Sequence, residues 1–432
     1  NGDGLVDMIR SRSSSGTTQQ AVYINQGDLT WSEDTSYAIP VTFWEGSGSA
    51  MEMAQMVDVD GDGLADIVRS STSPTHDEVY INKGDGTGWE EDTSYTAPLP
   101  FVGEPGSYNG VQMFDVDGDN LPDMVKSKYH TSSGTAVQSV YINNAAPELL
   151  ETVTHPSGAT TTISYAPSTE FENPDLPFAM NVVSSITVED GLGDSSTTSF
   201  DYEGGAYLYE DELNKQFAGF SGVTKTEEGR VVETFYEQGE FPLLGHSYQS
   251  DLYDDAGNLF SRTVDTWATS DLGYDNDYVY KTQSVSMSYD GDSSGGSGTH
   301  RDTGSAYTYD SNGNVATVIN YGEVTASTDG TFTDVTSVDE KTTATYSYAA
   351  DTSGGEIRNK VKEEKMTNSS GSTLKKARYF YDSLAYGSVS IGNVTRSYRW
   401  YDVTPAWYYT GYTYNSYGLV ATVRNPRGYT TS

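Results

Sequence analysis

DVDGDGLADIV, from Asp58 to Val68, places four carboxylates (Asp58, Asp60, Asp62 and Asp66) within nine residues and then enters an apolar run. The pattern returns as DVDGDNLPDMV from Asp115 to Val125. Two carboxylates about 4 Å apart repel by roughly 4 kcal/mol at an effective dielectric of about 20. Side chains crowded in this way must converge on a cation or point apart. Positions 1, 3, 5 and 9 of such a loop can aim inward together, and Leu64 at position 7 would add a backbone carbonyl. In the later copy these positions are Asp115, Asp117, Asp119 and Asp123, with Leu121 at position 7. Oxygen-only donors on a flexible loop suit Ca²⁺ better than the softer transition metals, whereas Mg²⁺ demands stricter octahedral geometry. Both loops are therefore expected to hold Ca²⁺. The competing reading is a pair of ordinary Asp and Gly turns without metal.

The chain opens NGDGLVD, the same loop entered at position 3, so that only Asn1, Asp3, Leu5 and Asp7 of the ligand pattern remain. The sequence is expected to begin inside a repeat, as a piece of a longer protein. The EF-hand shares the Asp spacing and the Gly at position 6, but it needs a bidentate Glu at position 12 and flanking helices. Here position 12 is Arg10, Arg69 and Lys126, each in a strand-like run. Asn120 stands where the second loop has Gly63, a tolerable exchange because Asn also adopts positive φ.

Around the loops the rest of the unit repeats. Asp58 to Asp115 and Asp66 to Asp123 are each 57 residues apart. MIRSR at Met8, IVRSS at Ile67 and MVKSK at Met124 follow the loops, and VYIN recurs at Val22, Val79 and Val140. The first two units continue into WSEDTSYAIP from Trp31 and WEEDTSYTAP from Trp89. About four short strands per unit cannot bury both faces alone and must stack on neighbours. The loop signature resembles FG-GAP or VCBS blades, which implies a partial β-propeller, an architecture of about four to eight blades when complete.

Composition agrees with an all-β protein. The 432 residues include 34 Tyr and 44 Gly, which suit short strands joined by tight turns. A formal net charge of −38 argues against nucleic acid or anionic membrane as a partner, since phosphates need Lys and Arg. The absence of Cys removes disulfides and thiolate chemistry. No apolar run approaches the roughly 18 residues of a membrane helix, so this segment is expected not to insert into a membrane.

Past Asn144 the period stops. The succession ELLETVTHPSGATTTISYAPS, LPFAMNVVSSITVEDG, FDYEGGAY and QFAGFSGVTKTEEG resembles the middle region of Tc-toxin B subunits and SpvB-type proteins. An acidic patch within it is expected to form a helical turn around Leu208 to Gln216. LYDDAGNL at Leu252, YTYDSNGNVATV at Tyr307, YFYDSLAYGSVSIGNVT at Tyr379 and YTYNSYGLVATVRNPRGYTTS at Tyr412 resemble YD (Rhs) repeats, with Asn415 and Asn425 where Asp is usual. Tyr on such strands can bury its ring while its hydroxyl stays wet, and the Gly-containing turn makes a hairpin.

The expected organisation is blades over 1–145, a middle β region over 146–247, and a long curled antiparallel YD sheet over 248–432. The resemblance implies a non-catalytic, secreted or cell-surface bacterial scaffold. Its propeller would dock a protein partner while its sheet encloses a polypeptide cargo, a toxic one in the family. Two alternatives stay open: a calcium-dependent adhesin or filament component, and a polysaccharide-binding or polysaccharide-active protein. The five histidines are scattered without a ligand spacing, and GFSG around Ser221 is not a nucleophile elbow. No catalytic residue is assigned.

Overall fold

The computed structural model describes the chain except residues 4, 15, 46–52, 73–74, 104–106, 132, 146, 148, 211–214, 272–276, 338–339 and 402–405. The described residues form strands, turns and two short 3₁₀ turns, Ser168–Glu170 and Phe241–Leu243. They fall into two compact units, Asn1–Phe217 and Ala218–Ser432.

In the first unit each of the two full acidic loops joins two antiparallel strands. The second loop lies between Ala54–Val57 and Asp66–Thr72, with Val57 opposite Asp66. The third lies between Val111–Phe114 and Asp123–His130, with Phe114 opposite Asp123. Asp66–Thr72 then pairs with Thr75–Asn82, which pairs with Trp89–Glu91, a four-stranded antiparallel meander. In the first repeat, Met8–Ser14 pairs with Thr17–Asn25 and that with Trp31–Asp34.

Period-2 alternation explains how the repeats pack, because successive side chains of one strand face opposite sides. Ile67 joins Val41 and Ala54 in a cluster reaching the first repeat's tail. Its neighbour Val68 joins Val59, Val79, Val111 and Met124 in a cluster reaching the third repeat. Both are 2 % exposed or less, so the strand is buried on its two faces, each such side chain contributing about 1.5–3 kcal/mol. Arg69, the residue that excluded the EF-hand, sits mid-strand opposite Glu78 and pairs with it at 3.4 Å.

Beyond the repeats Thr152–Thr154, Thr160–Pro167, Asn181–Glu189 and Ser195–Glu203 pair in sequence order, all antiparallel. The helical turn expected around Leu208 to Gln216 is not formed at its ends. Tyr207–Tyr209 and Lys215–Phe217 are a strand pair with Leu208 opposite Gln216, and residues 211–214 between them lie outside the described residues. Phe178 sets its ring edge-on to Tyr207 and Phe217, which holds the pair extended.

Most strands of the second unit form an antiparallel meander in chain order from Gly222–Glu227 to Thr430–Thr431; Val315–Ala326 also pairs with Thr342–Tyr348, and Ala350–Asp351 and Ser388–Val389 are set apart as a parallel pair. One turn recurs along it. Asp254, Asp310, Asn415 and Asn425 each accept, through one side-chain oxygen, N–H groups two and four residues ahead. A glycine three residues on donates back to the carbonyl of each. Those glycines, Gly257, Gly313, Gly418 and Gly428, hold φ between +76° and +90°, where a side chain is strained. Because both backbone donors go to Oδ1, Asn serves as well as Asp, which accounts for the two departures from the YD pattern. The tyrosine hydroxyls differ from expectation. Those of Tyr309, Tyr381 and Tyr414 donate to the carbonyls of Lys281, Val361 and Val394 at 2.7–2.9 Å, stitching each strand to an earlier one.

Candidate metal-binding loops

The loop backbone is organised by its own carboxylates. In the second loop Asp58 accepts the N–H groups of Gly61 and Gly63, both at 2.8 Å, one on each oxygen. Asp115 does the same for Gly118 at 2.6 Å and Asn120 at 3.0 Å. Gly63 has φ +88° and Asn120 +72°, so the asparagine adopts the glycine's left-handed conformation as its position requires. Asp62 and Asp119 accept the N–H of the position-7 leucines, Leu64 and Leu121, at 2.7 and 2.8 Å. In the opening loop Asp3 does this for Leu5 at 2.9 Å and also takes the Asn1 side-chain amide at 2.9 Å.

Position 9 has a further task. Asp66 is fully buried and accepts the N–H of Val59 on one oxygen and of Asn82 on the other, both at 2.8 Å. Asp123, equally buried, accepts from Val116 at 2.9 Å and Asn143 at 2.8 Å. Asp7 accepts from Asn25 at 2.8 Å. The aspartate that closes each loop therefore pins it to the last residue of VYIN. Those asparagines escaped the sequence reading although the motif repeats three times. Two more donors escaped it: the indole N–H groups of Trp31 and Trp89 reach the position-8 carbonyls of Val6 and Ala65, at 3.1 and 2.7 Å.

Side-chain oxygens of Asp58, Asp60 and Asp62 lie within 4.8 Å of one another, as do those of Asp115, Asp117 and Asp123. The structure thus gathers three of the four expected carboxylates in each full loop, leaving Asp66 and Asp119 outside the respective groups. Burial raises the pKa of Asp58 above the ordinary carboxylate value; the N–H groups of Gly63 and Gly61 work against it, and the Asp62 charge adds to it. Burial also raises Asp119, beside the charges of Asp117, Asp115 and Asp123. Asp66 is pushed up to about 7, by burial first and despite its two N–H donors, with Asp60 and Asp58 adding like charge. The converging carboxylates of each group form an oxygen-only donor set that a divalent cation would stabilise. This chemistry fits Ca²⁺.

Four of the five histidines make local side-chain contacts. His76 bonds Glu78, His155 bonds Thr161, His246 bonds the Leu243 carbonyl and His300 bonds Asp302. A buried ion pair also lay beyond the sequence reading: Arg262 grips Asp251 through two hydrogen bonds, at 2.8 and 2.6 Å, across directly paired strands.

Comparison with known proteins agrees with this architecture. An FG-GAP-like repeat model matches residues 1–69 and 58–125. The model of the insecticide toxin TcdB middle/N-terminal region matches residues 94–242. No curated protein matches the chain. Among solved structures, the crystal structure of TcdB2-TccC3-TEV is similar with a TM-score of 0.57 at 13 % identity, over 96 % of this chain and 28 % of that one. The chain thus spans little more than a quarter of that neighbour, and the likeness is one of fold. Among the described residues no helix is long and apolar enough to cross a membrane. Residues 1–125 are thus similar to FG-GAP-like repeats and residues 94–242 to the TcdB middle/N-terminal region.

Proposed function

We propose that the protein is a non-catalytic scaffold of the Tc-toxin B type, secreted or on the bacterial cell surface, whose YD sheet walls in a polypeptide cargo. The observation that carries this reading is the meander from Gly222 to Thr431, built on one repeated Asp/Asn turn and following a TcdB-type middle region. The similar solved structure is of TcdB2-TccC3, which supports a cargo or closing partner of that kind. In this reading the first three repeats are propeller blades.

The two full loops bind Ca²⁺ in this proposal. Asp58, Asp60 and Asp62 in one and Asp115, Asp117 and Asp123 in the other hold the ion, and Asp66 pins the strand beside the first. The ion would supply positive charge that stiffens the blade corner presented to a protein partner. The enclosure is tested by protease digestion of the natural full-length protein co-expressed with the polypeptide encoded beside it. Cargo that survives until the wall itself is cut supports the shell. Cargo digested as fast as the free polypeptide contradicts it.

A further inference from the structure

Position 4 of every acidic loop is a left-handed glycine: Gly2 at φ +78°, Gly61 at +75° and Gly118 at +84°. What covers each of them follows a rule. A Cβ on Gly2 would lie 2.7 Å from Leu64 Cδ2, and one on Gly61 would lie 3.1 Å from Leu121 Cδ2. Leu64 and Leu121 hold position 7 of the next loop. The leucine of one loop therefore seats on the glycine of the loop before it, once per junction. Side chains there would be excluded twice, by the backbone angle and by the neighbour.

At Gly118 the covering residue comes from outside the repeats. It is Thr169, in the 3₁₀ turn Ser168–Glu170, whose methyl would meet a Cβ at 3.1 Å and whose hydroxyl donates to the Gly118 carbonyl. The turn is anchored in its own sheet. Ser168, 1 % exposed, donates its N–H to the Met180 carbonyl at 2.7 Å and accepts the Met180 N–H on its hydroxyl at 3.1 Å, next to the strand Asn181–Glu189. A second link joins the loops independently of the leucines. Asn143, whose N–H is held by Asp123 of the third loop, donates its side-chain amide to the Val59 carbonyl of the second at 2.9 Å. Pro147 adds to the cover of Gly61, where a Cβ would lie 3.1 Å from the Cβ of the proline.

We propose that the acidic loops form one mechanically linked row and that Thr169 terminates it, standing on the third loop where the leucine of a further loop would stand. Order imposed at one loop is then passed to the next, and from the third loop to the start of the strand Asn181–Glu189. Thr169 is a positioning residue for the third loop, acting through Gly118, whose carbonyl accepts its hydroxyl and whose N–H is bound by Asp115. The linkage stands without metal; only its calcium response rests on the reading above.

Hydrogen exchange read by mass spectrometry on the intact chain tests it, first in chelator and then in millimolar Ca²⁺. In chelator, Thr169→Gly is expected to speed exchange of the Asp115–Asp123 peptide by about five-fold, the loss of one net hydrogen bond. Thr169→Ser, which keeps the donor, restores the slow rate, and Asn143→Ala speeds exchange of the Asp58–Asp66 peptide. Faster exchange confined to residues 168–170, with the third loop unchanged, would overturn the linkage. In Ca²⁺ the unaltered chain should slow exchange at both the loops and residues 168–189, and Thr169→Gly should lose only the second effect. Slowing at the loops alone in the unaltered chain also overturns the linkage. If Ca²⁺ slows exchange nowhere, the calcium reading fails by itself and the comparison in chelator decides the linkage.

Discussion

Asp66 and Asp123 show how one residue type at one spacing serves two ends. The sequence displayed acidic loops with regular ligand spacing, and chemistry made every acid a candidate ligand. Yet position 9 also gives its oxygens to backbone N–H groups from two directions, Asp123 while still converging with Asp115 and Asp117. That role depends on a strand end 16 residues further on in one repeat and 20 in another, from Asp66 to Asn82 and from Asp123 to Asn143, so local spacing could not disclose it. Asp66→Ala strands two buried donors and should lower stability by about 2–4 kcal/mol, read as a fall in the denaturation midpoint. The ion pair Asp251 and Arg262 offers a sharper case. Asp251→Ala leaves a buried guanidinium unpaired and should cost about 3–5 kcal/mol, whereas replacing both partners by apolar residues of similar volume should cost far less. Asp382 adds a pH test. Burial opposes its ionisation, but the N–H groups of Ile391, Gly392, Ser390 and Asn393 outweigh it and bring the carboxyl to about 2, below its ordinary 3.8. A depressed folded-state pKa stabilises the fold above about pH 4, and that contribution is lost as pH falls from 3.8 towards 2. An acid melt of Asp382→Asn should therefore show a shallower decline over that window than the unaltered chain.

At the scale of elements, the hairpin turns were the most legible part. Tyr, Asp or Asn, and Gly at fixed offsets announced them because the geometry is local: one acceptor, two donors and one left-handed residue. Gly418→Ala should cost about 1 kcal/mol, since φ is +76° there, while Asn415→Asp should leave the melt unchanged because the same oxygen accepts. The destination of the tyrosine hydroxyls was not legible, since Tyr381 reaches Val361 and Tyr414 reaches Val394 through sheet register rather than sequence. The ends of the expected helical turn at Leu208 and Gln216 went the other way for a similar reason: aromatic contacts from Phe178 outweigh the local preference of an acidic stretch. The loops make their own prediction as elements. Millimolar Ca²⁺ should raise the thermal midpoint relative to chelator by several degrees, and Asp60→Asn combined with Asp117→Asn should remove most of that rise. An unchanged midpoint would sink the structural role of the ion.

For the whole molecule, the periodic front and the recurring Tyr, Asp or Asn, and Gly turns were readable because each is a repeated unit whose partner is its own neighbour. The face that each strand turns to which repeat was not. Only the structure shows Ile67 and Val68 serving clusters on opposite sides of one strand. The central claim concerns the second unit, where strands from Gly222 to Thr431 follow one another edge to edge. The most direct measurement is an electron cryomicroscopy reconstruction of the natural full-length protein with its co-expressed neighbour. Strands of residues 222–431 curving as a wall around an enclosed volume that holds extra polypeptide density are the expected result. The same strands forming a flat or solenoidal sheet, with no enclosed volume, would contradict the shell.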